Sequence, residues 1–263
     1  MRRCKAGFLV AATLTLPVYA PAQGGGRGAA PTGKAAAPVD LTGYWVSIVT
    51  EDWRYRMVTP KKGDFASVPL TAEGRKVGDA WDPAKDEAAG EQCKSYGAPA
   101  LMRVPGRIDI DWQDDLTLKI ETDAGTQTRL FHFGPGQPPT GPGTLQGFST
   151  ATWDAPPPPQ NAGAQNNVAG GAAADAQARG GSLKVVTNRL KAGYLRKNGV
   201  PYSENALLTE YYTRTNEPNG DSWLIITTIV EDPQYLNLPF LTSTHFKKEA
   251  NGSKWMPSPC TAR

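Results

Sequence analysis

"RIDIDWQDDLTLKIETDAGTQTRLFHF", residues 107–133, changes character at every second position. Ile108, Ile110 and Trp112 alternate with Asp109, Asp111 and Gln113, and Leu118 and Ile120 alternate with Lys119 and Glu121. A period of two puts successive side chains on opposite faces of a strand, so each run predicts a half-buried strand, with Asp114-Asp115 as the turn between them. Asp123-Ala124-Gly125 is a second turn signal, and residues 126–133 complete a three-strand antiparallel meander.

The pattern extends in both directions. Residues 145–153 predict the next strand, and residues 182–190, 205–215, 222–232 and 240–248 predict four more. Asn-Gly occurs at 198–199, 219–220 and 251–252, and this dipeptide supplies the positive φ values that tight hairpin turns require. The total is about ten strands, and an antiparallel sheet of that size tends to curl until closure removes its edges. The expected fold is therefore mainly β, an antiparallel barrel or barrel-like meander, with a two-sheet β-sandwich as the alternative. The run "SWLIITTIV" is apolar on both faces, which predicts a strand covered on both sides. One short amphipathic helix is expected over 71–81: Thr71 is its N-cap, Glu73 lies in its first turn, and Leu70, Val77 and Trp81 share a face. Gly74 and Gly78 weaken it, and Asp82-Pro83 ends it.

Composition bounds the rest. Residues 1–22 combine Arg2, Arg3 and Lys5, an apolar run and small residues before Gln23, the pattern of a secretory signal peptide. That run is shorter than the roughly 20 residues a spanning helix needs, so the expectation is an exported, periplasmic or secreted chain without a transmembrane segment. Removing those three basic residues from 28 leaves 25, equal to the 25 acidic ones. A formally neutral mature chain lacks the basic footprint of a nucleic-acid binder. Residues 23–39 are Gly, Ala and Pro with scattered charge, and residues 155–181 are similar, so the first reads as a disordered tether and the second as a disordered insertion. Residues 40–263 then form one β-rich domain, expected to be a monomer. Cys93 and Cys260 remain after cleavage, and in an oxidising compartment they predict a disulfide, with a redox pair and two separate thiols as alternatives.

Leu41-Thr42-Gly43-Tyr44-Trp45 resembles the Gly-x-Trp opening of lipocalin-like barrels, in which the Trp plugs one end. A wider set of motifs resembles a family of secreted bacterial β-rich proteins that open with LTGxW. Those motifs are Pro69 to Gly74, then Cys93, Gly97 and Pro99, then Trp112 with Asp114-Asp115, then "PYSENALLTEYYTR" and "IVEDPQYLNLPF". The resemblance implies an exported β-rich domain and no established activity.

Chemistry-bearing residues are few. Two histidines and two cysteines that would pair cannot supply a zinc site, and no nucleophile elbow or phosphate-cradling loop is present, so neither a metal nor a cofactor is expected. "DWRYRMV" (52–58) reads as a strand with Trp53, Tyr55 and Met57 on one face and Arg54 and Arg56 together on the other, where they could grip a carboxylate or sulfate. By alternation His132 shares a face with Leu130, opposite Arg129, Phe131 and Phe133. An inward His132 could act as a general base with Glu121 or Glu210 nearby, and His245 is a second imidazole to place. The leading expectation is non-catalytic binding of a small apolar or amphipathic ligand or a partner, with Arg54, Arg56, Arg129 and His132 as candidate ligand residues. Acid-base isomerisation, dehydration or cyclisation in a barrel pocket, and a structural envelope or interaction module, are the alternatives.

Overall fold

A computed structural model describes residues 33–154 and 181–263. The expected leader, most of the tether and nearly all of the 155–181 insertion lie outside the described residues. The strands are β1 (Gly43–Ile48), β2 (Arg107–Asp114), β3 (Thr117–Thr122), β4 (Thr128–Phe133), β5 (Phe148–Asp154), β6 (Ser182–Asn188), β7 (Gly193–Arg196), β8 (Val200–Tyr202), β9 (Leu207–Asn216), β10 (Ser222–Glu231) and β11 (Phe240–Lys248). Nine of them close into a barrel in the order β1-β11-β10-β9-β6-β5-β4-β3-β2, and β7 and β8 form a separate hairpin. The fold is thus the mainly β barrel expected from the alternation, and not a two-sheet sandwich.

An odd number of strands cannot close with alternating directions all the way round. One neighbouring pair must be parallel, and here it is β4 with β5. The reason is local: "GPGQPPTGPGTLQG" (134–147) is too long and too rich in Pro and Gly for a hairpin, so the chain returns to the rim where β4 began before starting β5. Asn198-Gly199 joins β7 to β8 and Asn219-Gly220 joins β9 to β10, as their chemistry predicts. Asn251-Gly252 follows β11 with no strand after it. Its turn instead lets Trp255 pack edge-on against Tyr44, with ring centroids 5.9 Å apart. Asp154 pairs with Ser182, so both flanks of the insertion meet in one β5–β6 pair.

The upper rim, where β1 begins, is capped by residues 33–42. The part of the expected tether from 33 onward is therefore packed: a 3-10 turn spans Gly33–Ala36, Trp153 Nε1 donates to the Gly33 carbonyl at 2.8 Å, and the Lys34 amide donates to the Asp115 carbonyl. Trp45 is fully buried there and donates Nε1–H to the Leu41 carbonyl at 3.0 Å. The lower rim carries the connections 49–106, 189–206 and 232–239. Among them are α1 (Trp53–Arg56), α2 (Ala72–Asp79), α3 (Pro83–Ala88) and α4 (Ala98–Leu101). Among the described residues no helix is long and apolar enough to cross a membrane.

α2 is the expected helix, and Thr71 Oγ1 caps it by accepting from the Gly74 amide at 3.0 Å. Its buried face is the expected one: Leu70 and Trp81 flank the helix and are buried, and Gly74 and Gly78 lie on the same side between them. A Cβ on Gly74 would come within 2.7 Å of the Tyr235 carbonyl, and one on Gly78 within 2.7 Å of the Phe65 ring. The two glycines cost helix propensity but permit close approach to the second apolar cluster, which includes Phe65, Leu70, Tyr202, Val230 and Phe240.

Side chains fill the barrel. Ile110, Ile120, Phe131, Leu183, Val185, Tyr212, Leu224 and Ile226 are each completely or almost completely buried. Among them lies one ion pair. Arg129 donates Nη1–H to Glu210 Oε1 at 2.9 Å and Nη2–H to Oε2 at 2.6 Å, with Thr187 Oγ1 and the Tyr212 hydroxyl completing the contacts. Burial opposes the charge on Arg129, but the Glu210 carboxylate more than offsets it and holds the guanidinium above its ordinary pKa. Removing one partner of such a pair strands the other in the core. Arg129→Met is therefore expected to cost about 3–5 kcal/mol in urea unfolding, with much of the loss recovered in Arg129→Met/Glu210→Leu. Equal loss in the single and double variants would show that the two charges do not depend on each other.

Candidate functional site

The placement of the nominated residues narrows the search. Phe131, Phe133 and Arg129 face inward, so His132 is on the outer face of the barrel, stacked on Phe148 with centroids 5.2 Å apart. His245 also faces outward, with Nδ1 2.9 Å from Thr50 Oγ1 and 3.1 Å from Glu51 Oε2. Glu121 is outside too, 2.7 Å from Lys119, whereas Glu210 is sealed inside with Arg129. No imidazole shares the interior with a carboxylate. His132 does line a cleft of about 520 Å³ with Leu130, Gln137, Pro139 and Phe148 beneath the 134–147 crossover.

Residues 53–56 correct the strand reading of "DWRYRMV". β1 stops at Ile48, Asp52 adopts a left-handed conformation (φ 50°), and the chain winds into α1. Positions two apart do not share a helix face. Arg54 points outward to Asp64 at 2.9 Å with its side chain two-thirds exposed, while Arg56 turns in and is buried. Trp53 is 65 % exposed.

Arg56 leads to a second concavity, a pocket of about 470 Å³ at the lower rim. α1 and the residues after it supply Tyr55, Met57 and Val58, the segment before β2 supplies Tyr96, Arg103, Val104 and Pro105, and the β7–β8 hairpin supplies Arg196 and Lys197. The fourth wall is the C-terminal tail with Ser258, Pro259 and Thr261. The tail is held there twice. The Ser258 amide donates to the Asp123 carbonyl at 2.8 Å and its carbonyl accepts from the Gly125 amide at 2.9 Å. Two residues on, Cys260 is disulfide-bonded to Cys93 with the Cα atoms 5.1 Å apart, so the two cysteines are a pair and not two separate thiols.

Four cations surround this pocket. Arg56 is satisfied: Nε donates to the Arg103 carbonyl at 2.9 Å, Nη2 to Ser47 Oγ at 3.1 Å, and Nη1 to Glu51 Oε1. Lys197 Nζ donates to the Tyr96 hydroxyl at 2.7 Å and to Thr261 Oγ1 at 3.3 Å, but no carboxylate of the described residues lies within ion-pair range of it. Arg103 and Arg196 are only 5 % and 3 % exposed. Arg103 Nη2 lies 3.0 Å from Asp52 Oδ2, yet neither of its terminal nitrogens makes a hydrogen bond. Arg196 donates Nη1–H to the Ala66 carbonyl at 2.7 Å and rests over the Tyr55 ring at 4.1 Å, leaving Nε and Nη2 without partners.

The charge these groups carry is under-compensated. Burial, together with the neighbouring Arg103, brings the Arg196 guanidinium down to about 10. Burial also lowers Arg103, against the attraction of Asp52, and it lowers Arg56 against that of Glu51. Unpaired donors in a poorly solvated site are costly, so this pocket favours a ligand that brings acceptors or negative charge. Of the residues nominated from sequence, only Arg56 belongs to it. Arg103 and Arg196 were missed, although an arginine inside the apolar run Leu101-Met102-Arg103-Val104 is a recognisable anomaly.

Among the described residues no three His, Cys, Asp or Glu side chains gather as a metal site. No family model matches the chain, and no curated protein or solved structure does.

The disulfide closes a loop spanning 167 positions and anchors the tail wall of the pocket. Cys93→Ser/Cys260→Ser is expected to lose about 2–4 kcal/mol of stability in urea unfolding under non-reducing conditions. Unchanged unfolding would mean that the Ser258 hydrogen bonds alone hold the tail.

Proposed function

We propose that this chain is an exported, lipocalin-like β-barrel that binds a small amphipathic ligand without catalysis, and that it binds it at the lower rim instead of inside the barrel. The observation that carries this reading is the contrast between the two spaces: the interior is packed with side chains, while the rim holds a pocket of about 470 Å³. That volume is in the usual range for small-molecule sites. Met57 and Val58, 59 % and 67 % exposed, form an apolar lip beside Val104 and Pro105, with polar groups deeper in. An exposed apolar pair at a pocket mouth is a natural seat for a hydrocarbon body.

Export and the kinship with LTGxW proteins remain part of this proposal, supported by the leader pattern of residues 1–22 and by a disulfide suited to an oxidising compartment. The acid-base alternative needed an inward imidazole, and His132 and His245 both face out, so it has lost the site it relied on.

The test is a thermal-shift and calorimetric screen with medium-chain ligands, decanol among them. At least one should raise the melting temperature, and Val58→Asp should weaken that ligand at least tenfold, since burying a Val side chain is worth roughly 1.5 kcal/mol or more. A flat screen, or binding untouched by Val58→Asp, would overturn the assignment of the site.

A further inference from the structure

We infer that the head of this ligand is a doubly charged oxyanion, a phosphomonoester, received between Arg103 and Arg196. The inference rests on the binding reading above and adds the chemical class of the ligand.

Three observations carry it. First, the unused donor capacity around the pocket is concentrated on two guanidinium groups: Nη1 of Arg103, whose Nη2 is held only in an ion pair with Asp52, and Nε and Nη2 of Arg196. Each guanidinium has a two-nitrogen edge of the kind that matches two oxygens of one phosphate or carboxylate. Second, the charges do not balance. Arg56, Arg103, Arg196 and Lys197 face the pocket, but only Glu51 and Asp52 lie in ion-pair contact with any of them, which leaves two positive charges without a counterpart among the described residues. A carboxylate would offset one of these charges. A phosphomonoester, close to dianionic at neutral pH, offsets both. Third, the cationic floor and the Met57–Val58 lip occupy one pocket, so one molecule can meet both with its two ends.

The unpaired nitrogens lie just behind the pocket surface and hold almost no accessible area of their own. Binding must therefore draw the guanidinium heads forward. What opposes this is one hydrogen bond from Arg196 to the Ala66 carbonyl, the ion pair of Arg103 with Asp52, and the stacking of Arg196 on Tyr55 and of both heads on Phe240. What favours it is a full set of charge-assisted hydrogen bonds for donors that otherwise have none.

The experiment compares decyl phosphate, decanoate and decanol by isothermal titration calorimetry on the full mature chain. Decyl phosphate is expected to bind at least tenfold more tightly than decanol, with decanoate between them. Arg196→Gln should weaken decyl phosphate at least tenfold more than it weakens decanol. If that variant does not fold, Arg196→Lys and the ionic strength serve instead: raising salt from about 0.05 to about 0.5 M should weaken decyl phosphate and not decanol. Equal binding of decyl phosphate and decanol would overturn the oxyanion inference and leave the binding function standing. Decanoate equal to or tighter than decyl phosphate would overturn the doubly charged head. If none of the three binds, the pocket reading fails and this inference fails with it.

Discussion

β1 is the stave on which closure depends. It pairs with β2 along one edge and β11 along the other, bringing the first and last barrel strands of the described chain into a single ring. A strand with no free edge leaves the sheet without unpaired backbone groups, and it also commits every inward side chain to a sealed interior. Both Trp45 on β1 and Phe246 on β11 are buried as a result. With nine staves the ring also requires one parallel pair, and the long 134–147 crossover makes it between β4 and β5. With the interior filled, open space lies at the rim, where the connections leave a pocket between them.

The molecule handles its buried arginines in two ways. Arg129 is wrapped by Glu210, Thr187 and Tyr212, so that nearly all its donors are used and its charge is held in place. Arg103 and Arg196 are almost as deeply buried but keep unused donors, and their charge is disfavoured. The difference lies in the local acceptors. A barrel strand places Glu210 across from Arg129 with fixed geometry, whereas the rim surrounds its arginines with aromatic rings and backbone. The first arrangement closes a core. The second leaves donors without a partner among the described protein groups.

Much of the barrel was legible because strand alternation is a local property. Ile108, Ile110, Leu118 and Ile120 face inward as their period predicted, Phe131 and Phe133 share one face opposite His132 although alternation left open which face was inward, and two of the three Asn-Gly turns joined the strands beside them. The candidate site was far less legible. "DWRYRMV" alternates like a strand, but the left-handed Asp52 and the departure of β1 from the sheet convert it to a helical turn that separates Arg54 from Arg56. In α2 the glycines read as weaknesses of the helix, yet they are its contact face, because a close approach to Phe65 and Tyr235 depends on partners far away in the chain.

The sequence by itself determined the class of fold, the strand faces, the tight hairpins and the cysteines available to pair, since periodicity, turn chemistry and side-chain type act over a few residues. Only the tertiary structure decided the number of staves, the parallel pair, which arginines have partners and where a pocket opens. Arg56, Arg103, Arg196 and Lys197 come from separate segments, and the tail that walls them in is fastened by a disulfide between Cys93 and Cys260. Their convergence is a property of ring closure and loop packing, in which burial, not sequence distance, sets the electrostatic cost that each charge carries.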